Sequence, residues 1–205
     1  MSPPADILAF WFGDAAGDPQ QARDREAFWY GGSAQRDRDI AQRFGTLLNQ
    51  ASTGRLEHWA ESPPGRLALV VLLDQFSRNI RRGTPAAFAQ DARALAVAQV
   101  GVVGGEDRLL SEVERSFLYM PFQHAEDTGC QRQSVRLYER LLWESRPEFR
   151  DYVEHCLQHA EEHRAVIDRF GRFPHRNAIL DRSPTEAERA YLGSGARRYG
   201  QVAGR

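Results

Sequence analysis

Leu67-Ala68-Leu69-Val70-Val71-Leu72-Leu73 decides how this chain folds. Seven apolar residues in a row fit a buried strand or a length of buried helix, and periodicity alone does not separate the two. The flanks do. Ser62-Pro63 places a capping hydroxyl before a proline at the first helical position, and Gly83 closes the frame as a C-terminal stop. A frame running from Pro63 to Gly83 is too long for one strand, and Asp74 to Arg82 continues at helical spacing. The one strand candidate in the sequence is therefore predicted to be helix.

Helical punctuation continues on both sides. Pro3-Pro4 opens a short helix through Ala9-Phe10-Trp11 that Gly13 closes. Ile40, Phe44, Leu47 and Leu48 recur at three-four spacing before Gly54. Thr84-Pro85 repeats the start signal, Gly101 reads as a C-terminal stop, and Ser183-Pro184-Thr185-Glu186 has capping-box spacing. Pro121 is expected to interrupt the helix that carries Leu110, Val113 and Phe117. Residues 14–36 are polar and glycine-bearing, with an aromatic knot at Phe28-Trp29-Tyr30, and read as a loop. The expectation is an all-α fold of about eight helices in antiparallel hairpins: one helical domain over residues 1–192 and a flexible tail over 193–205. No repeat period is visible.

Composition narrows the chemistry. The chain has 205 residues, 41% hydrophobic and 27% charged, the balance of a globular domain able to bury its own core. Its formal net charge of −1 offers no global attraction to nucleic acid or to an anionic membrane. All 27 basic residues are arginine, so a phosphate loop of the Walker type and Schiff-base catalysis both lack their lysine. Cys130 and Cys156 have no metal or redox spacing and read as reduced thiols. With no targeting segment and no membrane-length apolar run, a cytoplasmic location is expected. No cofactor motif is present.

Four polar groups stand out. After Pro147, Phe149, Val153, Cys156, Ala160, His163, Ile167 and Phe170 form one helical stripe, which puts His163 in the core. His155 and His159 lie off that stripe, so the ladder His155–His159–His163 is not expected to converge, and no metal ligand is assigned. On the helix after Pro63, Arg78 follows Asp74 at i+4, with Gln75 and Asn79 beside them. His124 and Asp127 stand three apart, the spacing of a general base and its orienting acid. Finally, Arg169-Phe170-Gly171-Arg172-Phe173-Pro174-His175-Arg176-Asn177 combines three guanidiniums with two rings and a helix stop.

Taken together, Leu72 to Asn79, Phe117 to Asp127, Arg169 to Asn177 and Ile7 to Gly13 resemble a bacterial family, the domain of unknown function 924. The resemblance spans about residues 6–192. It implies an all-α fold similar to tetratricopeptide-repeat superhelices, and it implies no activity and no catalytic residue. Where this chain has Ser77, relatives carry proline.

Three functional classes fit these residues. The leading one is a binding module whose Arg/His/Asp-lined pocket takes an anionic small molecule or an acidic peptide through Arg78, Asn79, Arg169, Arg172, His175, Arg176 and Asn177. The second is an enzyme on a phosphate- or carboxylate-bearing substrate, with Asp74, His124, Asp127 and His163 as acid–base candidates. The third is a metal protein using His124, His163, His175 and carboxylates. The pocket classes require Asp74, His124, His163 and Arg172 or Arg176 to meet in one cavity.

Overall fold

Ser62 starts the central helix as expected: its Oγ accepts the Gly65 N–H at 3.3 Å, with Pro63 filling the first position. From there the backbone stays helical over residues 63–80, and every residue from Gly65 to Ser77 is buried. The run Leu67–Leu73 is thus a buried helix. Each such aliphatic side chain contributes about 1.5–3 kcal/mol by leaving water.

The computed structural model describes residues 3–195. Among them are nine helices and no strand: α1 (Pro3–Phe12), α2 (Pro19–Tyr30), α3 (Ala34–Ser52), α4 (63–80), α5 (Asp91–Val103), α6 (Glu112–His124), α7 (Thr128–Glu144), α8 (Arg150–Phe170) and α9 (Glu186–Gly193). Helices α1, α3, α5 and α6 surround α4, while α7 packs between α6 and α8. Short connections make α6, α7 and α8 antiparallel neighbours. No described helix is long and apolar enough to cross a membrane. Both cysteines are free thiols. The tail expected over 193–205 lies, apart from the end of α9, outside the described residues.

Several local expectations are corrected. Residues 19–30 are helix α2, not loop. Asp18 caps it, accepting the N–H groups of Gln20 (2.8 Å) and Gln21 (3.3 Å), and Pro19 follows. Only Ala22 and Trp29 of α2 are buried, so it carries no apolar stripe to betray it. Trp29 Nε1 and Arg25 Nε both donate to the Trp11 carbonyl at 2.8 Å and fasten α2 to α1.

Helix α6 runs through Pro121 to His124. Pro121 lacks the N–H of a normal ladder, but the flanking residues from Arg115 to Gln123 are all buried, and their packing offsets the lost bond. Gly101 is not a stop. It lies inside α5, where a Cβ would come within 2.5 Å of the Arg66 side chain that crosses it. Thr84-Pro85 opens a single 3-10 turn, because the Thr84 hydroxyl donates back to the Arg81 carbonyl at 2.7 Å. The capping box of α9 is Thr185 with Glu188, two residues later than read from sequence. Gly171 stops α8 as expected, at φ 68°.

Candidate functional site

Within α4 the residues Val71–Phe76 form a π-helical stretch, a wide turn often found where proteins place functional groups. Asp74 sits in it with 0% exposure. One carboxylate oxygen lies 2.8 Å from His124 Nδ1 and 3.0 Å from Arg78 Nη1, and the Gln75 carboxamide donates to the other. Burial alone would raise this carboxyl. The Arg78 guanidinium and the hydrogen bonds from His124 and Gln75 more than offset that and hold it well below the usual carboxylate range. An ionised carboxylate only accepts hydrogen bonds. His124 Nδ1 therefore carries the proton, and its Nε2 keeps a lone pair. Burial, then Arg78, lowers the His124 imidazole, so it is neutral near pH 7.

Asp91, the first residue of α5, joins two guanidiniums. It lies 3.0 Å from Arg78 and 3.1 Å from Arg176. Arg176 stands on the 3-10 turn Pro174–Arg176, only 6% exposed, between the rings of Phe88 (4.5 Å) and Phe173 (4.7 Å). Its Nη2 donates to the His124 carbonyl at 3.0 Å. Burial brings this guanidinium down to about 10, so it remains charged. Next to it, His175 is lowered to about 3 by burial and by Arg176 and Arg78. His163 is buried as the stripe predicts, its Nδ1 2.7 Å from the His159 carbonyl and its ring 6.2 Å from that of His124. Burial, with His124 next, pushes it well below the ordinary histidine value.

These groups face a cavity of about 580 Å³. Arg78, Gln123, His124, His163, His175 and Arg176 are among its lining residues, whereas Asp74 and Asp91, which pair with Arg78 and Arg176, are outside the lining. Trp29, Tyr30, Met120, Tyr138 and Tyr152 line it as well, as do Phe88 and Phe173, whose rings flank Arg176. His155 and His159 also reach this cavity, and their Nε2 atoms are 3.1 Å apart. The three histidines of the ladder line the same cavity at different depths, His155 exposed and His163 buried, and no group of three metal-ligating side chains converges among the described residues. Cys156 faces the cavity with its thiol pushed up to about 12 by burial.

The family model described as a bacterial protein of unknown function (DUF924) matches residues 7–196. The chain belongs to this family. A solved structure of a protein of unknown function, ATU0120 from Agrobacterium tumefaciens, is 38% identical, with a TM-score of 0.79 over 94% of this chain and 97% of that one. No curated protein matches.

In this DUF924 chain not every residue singled out by sequence reaches the cavity. Asp74, His124, His163 and Arg176 meet there. Asp127 does not orient His124: it is exposed and caps α7, accepting the Cys130 N–H at 2.7 Å. The carboxylate that meets His124 belongs to Asp74, fifty positions earlier. Arg172 pairs with Glu188 at 2.7 Å, and Arg169 lies over Phe170 and Tyr191, both away from the cavity. Asn177 is buried beside Glu188. Asn79 lines the cavity while donating to Asp37 at 2.8 Å. Two carboxylates escaped the sequence reading. Asp91 ties Arg78 to Arg176. Glu126 accepts the Phe173 N–H and the Arg182 guanidinium, both at 2.7 Å, and so holds the segment after α8 against α6. The acidic residue opening α5 was the available signal for Asp91; nothing local marked Glu126.

Proposed function

We propose that the cavity binds a small molecule with an anionic group on an apolar body. The observation that carries this reading is the layering of charge: Arg78 and Arg176 line the cavity, and the carboxylates that anchor them, Asp74 and Asp91, are outside the lining. Arg36 and Arg82 line the same space, and Glu26 is the lining carboxylate among the described residues. An approaching anion meets hydrogen-bond donors first, in a site whose low dielectric strengthens them. The aromatic rings in the lining suit an apolar body. The volume is that of a small-molecule pocket, which favours a metabolite over an acidic peptide. The two free thiols fit a reducing, cytoplasmic setting.

Thermal-shift titration against carboxylated and phosphorylated metabolites tests the reading. A ligand at a hundred times its Kd stabilises the fold by about 2.7 kcal/mol, so one class should raise the unfolding midpoint in a saturable way. Responses no larger than those to chloride at equal ionic strength would contradict it.

A further inference from the structure

We propose that the cavity is a reaction site in which His124 is the general base, positioned by Asp74, acting on an O–H group of a small carboxylate-bearing substrate. The proposal rests on the ligand-binding reading above, with Arg78 and Arg176 holding the carboxylate.

Geometry carries it. Asp74 is wholly buried and approaches His124 only through Nδ1, at 2.8 and 3.0 Å. That fixes the tautomer and the ring plane and turns the Nε2 lone pair away from the carboxylate, on a residue that lines the cavity. Arg176 binds the backbone carbonyl of the same residue at 3.0 Å, so the anion holder and the base are tied together. In the step, the substrate O–H bond breaks and an Nε2–H bond forms. The electron pair stays on the substrate oxygen, facing the two guanidiniums, and the new imidazolium is stabilised by the Asp74 carboxylate. The thiol and phenols of the cavity are poor competitors for covalent chemistry: Cys156 is raised to about 12, Tyr138 and Tyr152 are raised by burial, and the chain has no lysine, which leaves the other lining histidines as the residues to compare with His124.

The same geometry makes His124 a directed nucleophile toward a small acid carrying a leaving group. Bromoacetate is the probe, with bromoacetamide as its uncharged counterpart. Alkylation forms the Nε2–C bond, breaks C–Br and releases bromide. The full chain is treated at pH 7 and the modified residues are located by peptide mass spectrometry. His124 should be carboxymethylated, and bromoacetate should react about tenfold faster than bromoacetamide, as charge-assisted binding to arginine implies. Arg176→Met should abolish that preference while alkylation at His124 persists.

Alkylation confined to His58, His155 and other histidines would overturn the general base. Equal rates for the two reagents at His124 would instead overturn the arginine-held anion, and with it the binding reading. The comparison of reagents on the unaltered chain needs no variant and so does not depend on a variant folding. For Asp74 as the positioning residue, ¹⁵N spectra of histidine-labelled protein should show His124 as the Nδ1–H tautomer, and Asp74→Asn should convert it to a mixture. An unchanged tautomer in that variant would limit Asp74 to a structural role.

Discussion

Arg172 and Arg176 stand four residues apart and end in different environments. Arg172 is half-exposed and forms a two-pronged pair with Glu188 at 2.7 and 2.8 Å, closing the start of α9 sixteen residues on. Arg176 is buried between two phenylalanine rings and reaches back to Asp91, 85 positions earlier. Both follow the helix stop at Gly171, and Pro174 separates the two: it opens the 3-10 turn that carries His175 and Arg176 inward. Identical side-chain chemistry becomes a local lock when its partner is near in sequence, and a cavity wall when its partner comes from another helix.

The sharpest way to break this contrast is to remove one charged partner from each arginine system. Asp74→Ala takes the wholly buried carboxylate away from Arg78, which keeps only Asp91, and leaves the His124 Nδ1–H without its acceptor, a loss expected to cost about 3–5 kcal/mol in urea unfolding. Arg172→Gln, at a half-exposed guanidinium, should cost far less. Equal losses would dissolve the distinction between wall and lock.

Acid should also strike the cavity first. Unfolded histidines take up protons near 6.5, whereas folding lowers His124 and His163 and brings His175 to about 3. The stability gained by keeping them neutral is complete above 6.5 and drains away as pH falls toward 3, because the unfolded chain binds protons that the folded chain refuses. Glu188 behaves otherwise. Its carboxyl is held at about 2 by Arg172, against an ordinary 4.5, so its contribution is intact above 4.5 and is lost only as pH falls through 2. The unfolding midpoint should therefore drop between pH 6.5 and 4.5 with proton uptake on unfolding, and Arg172→Gln should leave that part of the curve unchanged. A flat profile there would contradict the buried neutral histidines.

The smallest expected effect concerns the thiols. Burial raises Cys156 to about 12 and Cys130 to about 11, so iodoacetamide at pH 8 should modify both slowly until the chain is unfolded. Rapid modification of Cys156 in the folded protein would show that the cavity beside it is open to water.

The all-α class was legible because its signals are local: Ser62-Pro63, the stripe that buries His163, and Gly171 each act within a turn or two. Helix α2 was not, since a helix with two buried residues has no apolar period and only Asp18-Pro19 announced it. The candidate site was half legible. Asp74 and Arg78 share one helix and their pairing follows from spacing. The pairing of Asp74 with His124 depends on how α4 meets α6, and Asp127, the nearer carboxylate in sequence, is drawn off by the N-terminus of α7. That His155 and His159 line the same cavity as His163 likewise depends on how other helices pack around α8, which no helical wheel contains.

The most direct measurement compares ligand response in Arg176→Gln and Arg172→Gln by calorimetric titration with whichever carboxylated or phosphorylated metabolite raises the midpoint of the unaltered protein. Binding should survive in Arg172→Gln and weaken by about 10-fold or more in Arg176→Gln, as the loss of a buried charged hydrogen-bond donor implies. Undiminished binding in Arg176→Gln, or a loss confined to Arg172→Gln, would move the ligand out of the cavity and contradict the account.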